Sequence, residues 1–194
     1  MKFRVDLIGK SSTAWIDTVM SDFDTFLQDH ANCERKASAM AMSFIAKFPD
    51  RVEIIPDLLD TAIEELEHFK AVYKIMERRQ VLLPSKIGQD SYVKQLVDQC
   101  RSGKMDRFMD RLLLASVIEC RGAERFKLIS EALEDIELKD FYKNLWISEV
   151  KHGNIFVKMT INYFDSDSVY KRLDELNVLE AEVLDSLPLK AALH

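Results

Sequence analysis

Two Glu-x-x-His tetrads, each preceded by one glutamate at nearly the same distance, restrict what this chain can fold into more than any other feature. The preceding glutamates lie 31 and 30 residues before their tetrads. On a helix, positions three apart share a face, so each tetrad can present a carboxylate and an imidazole to one point. Two tetrads and two further glutamates are the ligand set of a carboxylate-bridged dinuclear metal site in a four-helix bundle. The six candidate ligands are Glu34, Glu65, His68, Glu119, Glu149 and His152.

Composition and the apolar pattern predict long helices rather than a sheet. The 194 residues include only five Gly and four Pro, and they fit a single domain spanning residues 1–194. Pro56, near the start of the third predicted helix, is compatible with a first turn or with a kink. The pattern predicts helices at about residues 14–20, 24–47, 50 or 51 to 79, 91–100, 105–132, 138–163 and 168–184, with Ser12 or Thr13 capping the first.

The predicted helix lengths place the candidate ligands at matching levels. Glu34 and Glu65 each lie about 14 residues, or roughly 21 Å of helix, from a predicted turn near Phe48. The second pair of glutamates repeats this spacing about a turn near residues 133–136. The connection across residues 80–104 then serves as the crossover of a ferritin-like bundle. The sequence therefore predicts an all-α, ferritin-like four-helix bundle with additional N- and C-terminal helices.

Apolar stripes on the predicted helices direct the candidate ligands into the core. The neighbouring carboxylates Glu64, Glu67 and Glu124 fall outside these stripes and are not predicted to be ligands. Four buried glutamates carry a charge of −4, which would be very costly unless two divalent cations neutralised it. Mixed oxygen and nitrogen ligands favour iron or manganese over calcium or structural zinc.

The net charge of −6 is unevenly distributed along the chain. Residues 1–69 and 128–194 each carry −6, whereas residues 70–127 carry +6. Such a basic segment is either a solvated face or a surface that binds phosphate groups of a nucleic acid.

The sequence indicates a cytoplasmic protein without a membrane segment. No apolar run approaches the roughly 20 residues needed to cross a bilayer, and Asp6 stands where a leader peptide would be apolar. Cys33, Cys100 and Cys120 are odd in number and lack Cys-x-x-Cys spacing, so reduced thiols are predicted.

Residues 29–37, with the sequence Asp-His-Ala-Asn-Cys-Glu-Arg-Lys-Ala, closely resemble the first ligand helix of the tRNA hydroxylases called MiaE. The tetrads alone are shared with bacterioferritin and rubrerythrin, so this segment is the more specific feature. The resemblance covers most of the chain and continues through residues 14–16, 64–69, 118–126, 149–152 and the glutamate-rich C-terminal helix.

The resemblance implies an oxygen-dependent, non-haem di-iron monooxygenase. The family substrate is the methylthiolated isopentenyl-adenosine beside the anticodon of certain tRNAs, hydroxylated on its isopentenyl group. The six candidate ligands would hold two iron ions. Glu65 and Glu149 are the suggested bridging residues because each lies beside its own histidine, and Glu34 or Glu119 could shift between binding modes. Dioxygen is the implied co-substrate, and an external reductase supplies electrons because the chain has no flavin or nicotinamide motif. A monomer is expected.

Two alternatives share the architecture. An iron-binding, oxidising or storage protein of the bacterioferritin or rubrerythrin type would use the same ligands, and a related enzyme could act on another nucleoside. His30, one turn before Glu34, is either a hydrogen-bond partner of the ligands or a core histidine. Small residues beside the ligands either leave room for oxygen and a prenyl group or allow close helix packing.

Under this resemblance the basic segment becomes a predicted tRNA-docking surface, because an anticodon loop presents phosphates and a splayed base. The residues predicted to contribute are Arg78, Arg79, Lys86, Arg101, Lys104 and Arg107.

Overall fold

The computed structural model describes Phe3, residues 6–85 and residues 90–194, and every regular element in that part of the chain is an α-helix. No helix among these residues combines the length and apolar character needed to span a bilayer. The helices are α1 (Thr13–Ser21), α2 (Phe23–Lys47), α3 (Ile55–Arg78), α4 (Ser91–Asp98), α5 (Lys104–Ala132), α6 (Ile136–Ile161) and α7 (Ser166–Ser186).

Side-chain caps explain where five of the helices begin. The carboxylates of Asp22, Asp90, Asp135 and Asp165 each accept a hydrogen bond from the backbone N–H three residues later, at the starts of α2, α4, α6 and α7. The hydroxyl of Ser12 does the same at the start of α1, so the predicted cap is Ser12 rather than Thr13. Such caps satisfy an N–H group that has no partner within the helix. The predicted boundaries are confirmed to within two residues, except at the start of α3.

Helix α3 begins at Ile55, and the prediction that it starts at residue 50 or 51 was wrong. The residues before Ile55 form a turn, and Pro56 lies in the first turn of the helix. Proline costs little there because its missing N–H would have had no helical partner. At the other end, Gln80 adopts a left-handed conformation with φ of 59°. The N–H of Val81 then bonds to the carbonyl of Met76 at 2.9 Å, which closes the helix with a Schellman motif.

The described residues divide into two compact units, one drawing on residues 17–88 and 190–193 and the other on residues 1–16, 89–189 and 194. We call them the α2–α3 unit and the α5–α6 unit. In the α2–α3 unit, Ser38 donates a hydrogen bond to the carbonyl of Ala62 at 2.8 Å, and Arg79 contacts Asp24 at 2.7 Å. Asp24, near the start of α2, thus pairs with the end of α3, whereas Ser38, further along α2, pairs with an earlier part of α3. The two helices therefore form an antiparallel hairpin.

The α5–α6 unit contains a second antiparallel hairpin. Ring contacts pair Phe108 with Tyr163 and Phe126 with Tyr142, each with centroids 5.6 Å apart. Only residues 133–135 connect the two helices. Helix α7 packs on α5, α4 and α6, and its apolar residues extend the core of this unit. Each hairpin thus pairs its two long helices in the antiparallel register that the sequence predicts.

A buried ion pair fixes α7 to α5. Arg121 is fully buried and donates two hydrogen bonds to Glu180, of 2.8 and 2.9 Å. Its guanidinium also bonds to Glu124 at 2.9 Å and to the carbonyl of Gly9 at 3.1 Å. Tyr92 of α4 donates to Glu180 at 2.8 Å. Burial lowers the pKa of Arg121, but the bonds to Glu180 outweigh it and raise that pKa above its ordinary value.

Candidate metal centre

The α2–α3 hairpin brings three of the predicted ligands together. One donor atom each from Glu34, Glu65 and His68 lies within 4.8 Å of the others. The two glutamates are 3% and 1% exposed, and the side chain of His68 is 16% exposed. His68 Nδ1 lies 3.4 Å from Oε2 of Glu65 and 3.8 Å from Oε2 of Glu34. We call these three residues the α2–α3 cluster.

His30 contacts the α2–α3 cluster through Glu34. Its Nε2 lies 2.6 Å from Oε1 of Glu34, and the imidazole is fully buried. The ring packs beside Phe26, with centroids 5.6 Å apart. The two oxygens of Glu34 therefore face different partners, since Oε1 contacts His30 and Oε2 faces His68. His30 thus contacts the candidate ligand Glu34.

The carboxylates and imidazoles around the α2–α3 cluster change each other's pKa values. Burial raises the pKa of the Glu34 carboxyl, but the contacts with His30 and His68 outweigh burial and hold the pKa well below its usual range. Burial lowers the pKa of His68, but the contacts with Glu34 and Glu65 outweigh it and raise the pKa to about 9. The two carboxylates thus favour the protonated form of the His68 imidazole.

The α5–α6 hairpin brings the other three predicted ligands together. Donor atoms of Glu119, Glu149 and His152 lie within 4.8 Å of one another, and the residues are 7%, 3% and 0% exposed. His152 Nδ1 lies 3.5 Å from Oε2 of Glu149. We call these residues the α5–α6 cluster. Each hairpin thus presents two buried carboxylates and one imidazole at one level.

The small residues near the α5–α6 cluster have two different roles. A Cβ atom added at Gly153 would lie 3.0 Å from Sγ of Cys120, so Gly153 permits the close approach of α5 and α6. Ser116 donates to the carbonyl of Gly153 at 2.7 Å, which fixes that approach. A Cβ added at Gly122 would meet only Cγ of Glu149, at an ordinary 3.8 Å. Close packing explains Gly153, whereas a methyl group at Gly122 would only make an ordinary contact with the candidate ligand Glu149.

The donor chemistry of both clusters fits a divalent transition metal. Two buried carboxylates a few ångströms apart repel each other strongly in the protein interior, and a cation between them removes that repulsion. Carboxylate oxygen together with imidazole nitrogen suits iron and manganese, whereas calcium takes oxygen ligands alone. The residues present therefore fit the iron centre that the sequence analysis predicts.

The carboxylates excluded by helical phase lie elsewhere, as expected. Glu67 is exposed and contacts Lys70 at 3.4 Å. Glu124 accepts hydrogen bonds from the backbone and side chain of Ser11, at 2.9 and 2.7 Å, and from Arg121. Neither belongs to the donor groups around the two clusters.

The residues predicted to dock tRNA differ in their surroundings. Arg78 and Arg79 end α3, and Arg79 contacts Asp24 at 2.7 Å. Lys104 and Arg107 are exposed in the first turns of α5. Lys86 lies outside the described residues.

Arg101 has a different role from the neighbouring cations. It bonds to the fully buried Asp110 at 2.7 Å and contacts Asp106 at 3.0 Å. Arg172 of α7 bonds to the same Asp110 at 2.9 Å. Burial raises the pKa of Asp110, but the two arginines outweigh it and hold the pKa below its ordinary value. Arg101 is therefore part of a structural ion-pair group. This group was not predicted, because a count of charges along the sequence does not show which of them are paired.

Comparison with known proteins identifies a family match over nearly the whole chain and two named relatives that match 89% and 62% of it. The sequence profile of the family described as tRNA-(MS[2]IO[6]A)-hydroxylase (MiaE) matches residues 4–194. A Pseudomonas putida protein named tRNA 2-(methylsulfanyl)-N(6)-isopentenyladenosine(37) hydroxylase is 34% identical over 174 residues, covering 89% of this chain and 83% of that protein. A Salmonella typhimurium protein of the same name is 26% identical over 121 residues, covering 62% and 44%.

A solved structure shares the fold. It is described as Protein 43 with aldehyde deformylating oxygenase activity from Synechococcus. The likeness has a TM-score of 0.91 and 28% sequence identity, and it covers 97% of this chain and 94% of the other. The predicted all-α, ferritin-like fold is confirmed.

Proposed function

The chain belongs to the MiaE family of tRNA hydroxylases, and we propose that it hydroxylates the isopentenyl group of 2-(methylsulfanyl)-N6-isopentenyladenosine in tRNA. The observation that carries this proposal is the pair of matching ligand clusters, each with two buried glutamates and a histidine. The family profile spans both clusters, and the Pseudomonas putida relative is named for this reaction. The same comparisons favour a hydroxylase over the alternative of an iron-storage protein.

We propose further that the six residues of the two clusters are iron ligands, as the resemblance to the MiaE family implies. Glu65 and Glu149 are the proposed bridging carboxylates, because each is followed on its own helix by a histidine of the same cluster. Bound iron would supply the redox chemistry that dioxygen activation requires. The chain itself supplies the four carboxylates that balance the metal charge and a buried environment that excludes water.

The proposed reaction needs an outside source of electrons. Inserting one oxygen atom of dioxygen into a C–H bond leaves the other atom as water and consumes two electrons and two protons. The sequence has no flavin or nicotinamide motif, so a reductase protein is the proposed donor. We propose that the prenyl group approaches Glu149 on the side of Gly122, where α5 carries no side chain.

We propose that the protein works as a cytoplasmic monomer. A storage protein of the bacterioferritin type would instead assemble into a large hollow shell. Gel filtration distinguishes the two, since a 22.5 kDa monomer elutes far from such an assembly.

The proposed function is tested by direct assay. The purified, iron-loaded protein is given a chemical reductant, ¹⁸O₂ and tRNA that carries the prenylated adenosine, and the digested nucleosides are analysed by mass spectrometry. One labelled oxygen atom on the isopentenyl group is expected. Absence of that atom with two iron ions verified per chain would show that the assignment is wrong.

His30 provides a test of how Glu34 is held. Replacing His30 with Leu removes the donor that contacts Oε1 of Glu34, so iron affinity is expected to fall about 10- to 100-fold, as is usual when a residue that orients a metal ligand is lost. His30→Gln keeps an N–H donor and should retain most of the affinity. Iron affinity is measured by competition with a chelator. Equal affinity in His30→Leu and the unmodified protein would contradict the proposed role.

A further inference from the structure

Arg111 is a partly buried arginine whose guanidinium makes no hydrogen bond or ion pair with any residue of the described chain. It lies on α5 one turn before Leu114, a member of the apolar cluster that α5 forms with α4 and α7. Burial lowers the pKa of Arg111, Cys100 raises it and the neighbouring Arg107 lowers it. Arginine remains charged despite such shifts, so the protein holds a half-desolvated cation without an internal counter-charge.

Arg107 and Lys104 extend this positive charge along α5. The three residues are spaced by three and four positions, so they share one face of the helix. Both Arg107 and Lys104 are exposed, and their side chains also lack an ion pair among the described residues. Together they span about 10 Å of helix. We call Lys104, Arg107 and Arg111 the α5 basic stripe.

Nearby acids are already engaged with other cations. Asp110 is shared by Arg101 and Arg172, and Asp106 contacts Arg101. On α7, Glu175 contacts Arg172 at 2.9 Å. On α4, the remaining acid Asp98 contacts Lys94 at 2.6 Å. The free thiol of Cys100 is the other titratable group beside Arg107 and Arg111. The α5 basic stripe is therefore a local excess of charge rather than half of a salt-bridge network.

An anionic ligand accounts for this arrangement better than solvent does. A guanidinium binds phosphate oxygens through two parallel hydrogen bonds, and the interaction is stronger where the group is partly desolvated. A single small anion can contact only part of a stripe about 10 Å long, whereas an extended polyanion can contact all of it. A nucleic-acid backbone supplies that geometry.

We propose that Arg107 and Arg111, with Lys104, bind backbone phosphates of the substrate RNA. The proposal rests on the proposed function and names which cations of the basic segment contact the RNA. We assign Arg101 a structural role instead of a contact with RNA. Its ion pair with Asp110, which also pairs with Arg172, helps to hold the start of α5 against α7.

The test uses the full-length, iron-loaded protein and an anticodon stem–loop RNA, with binding followed by fluorescence anisotropy over a series of salt concentrations. The double variant Arg107→Gln/Arg111→Gln is compared with Lys139→Gln/Lys143→Gln, which removes the same charge from exposed positions of α6. The first pair should raise the Kd at least about tenfold at low salt and flatten the slope of log affinity against log salt by about one to two units. The control pair should change the Kd by less than about twofold.

A second measurement uses the unmodified protein, so that it does not depend on how the variant folds. Phenylglyoxal modifies accessible arginines, and bound RNA should protect Arg107 and Arg111. Inorganic phosphate is added as a competitor in the same assay. Displacement of RNA by phosphate at comparable concentration would mean a small-anion site and overturn the proposal.

The outcomes separate this proposal from the proposed function. Equal Kd values and salt slopes for the two double variants, with the unmodified protein still binding and hydroxylating RNA, would overturn the phosphate assignment alone. Failure of the unmodified protein to bind the RNA would overturn both.

Discussion

Replacing Glu65 with Gln is expected to abolish both iron binding and hydroxylation. Glu65 is 1% exposed and contacts His68 within the α2–α3 cluster, and it is a proposed bridging ligand. Loss of a residue that merely supports a ligand costs up to about a hundredfold in affinity or activity, so loss of a bridging ligand should cost more. Iron per chain is measured by elemental analysis, and hydroxylated nucleoside is measured by mass spectrometry.

A matched control lies two residues away. Glu67 has the same side chain on the same helix but is exposed and contacts Lys70, so Glu67→Gln should retain both irons and full activity. Two bound irons and normal turnover in Glu65→Gln would rule out its assignment as a ligand.

Replacing Glu180 with Gln should destabilise the protein by about 3 to 5 kcal/mol, because it leaves the buried charge of Arg121 without its main counter-charge. Both residues are fully buried, and Glu180 accepts bonds from Arg121 and Tyr92. The free energy of unfolding is measured by urea titration, with the metal removed from both proteins so that ligand binding does not contribute.

Two further variants show whether a loss of stability in Glu180→Gln comes from the unpaired buried charge. Glu131→Gln removes an exposed contact with Lys127 on the same helix, at 3.9 Å, and should cost less than about 0.5 kcal/mol. The double change Arg121→Met/Glu180→Leu removes both buried charges together and should recover much of the lost stability. If Glu180→Gln unfolds like Glu131→Gln, the buried pair is not a major source of stability.

Most of the fold and the identity of the candidate ligands could be predicted from the sequence because they depend on local rules. Helical spacing places His68 beside Glu65 and His30 beside Glu34, and equal helix lengths place each cluster at one level of a hairpin. The start of α3 was missed because the turn before Ile55 has the same apolar content as a helix. Periodicity alone cannot separate such a turn from a helical segment.

The polar contacts of α7 could not be predicted in this way. Arg121 pairs with a glutamate 59 positions later, and Asp110 pairs with Arg172, 62 positions later. No periodicity links residues so far apart in sequence. The same limitation hid the difference between Arg101, which is paired, and Arg111, which is not. A charge count treats all these cations as equal, whereas tertiary contacts divide them into structural and available groups.

The short connections within the two hairpins favour early formation of each hairpin during folding. Each ligand cluster is built from two helices adjacent in sequence, with seven residues between α2 and α3 and three between α5 and α6. Contacts between neighbouring helices form early and rapidly because little chain entropy is lost in closing such loops. During synthesis, the α2–α3 hairpin can therefore assemble Glu34, Glu65 and His68 before residues 104–161 have emerged from the ribosome.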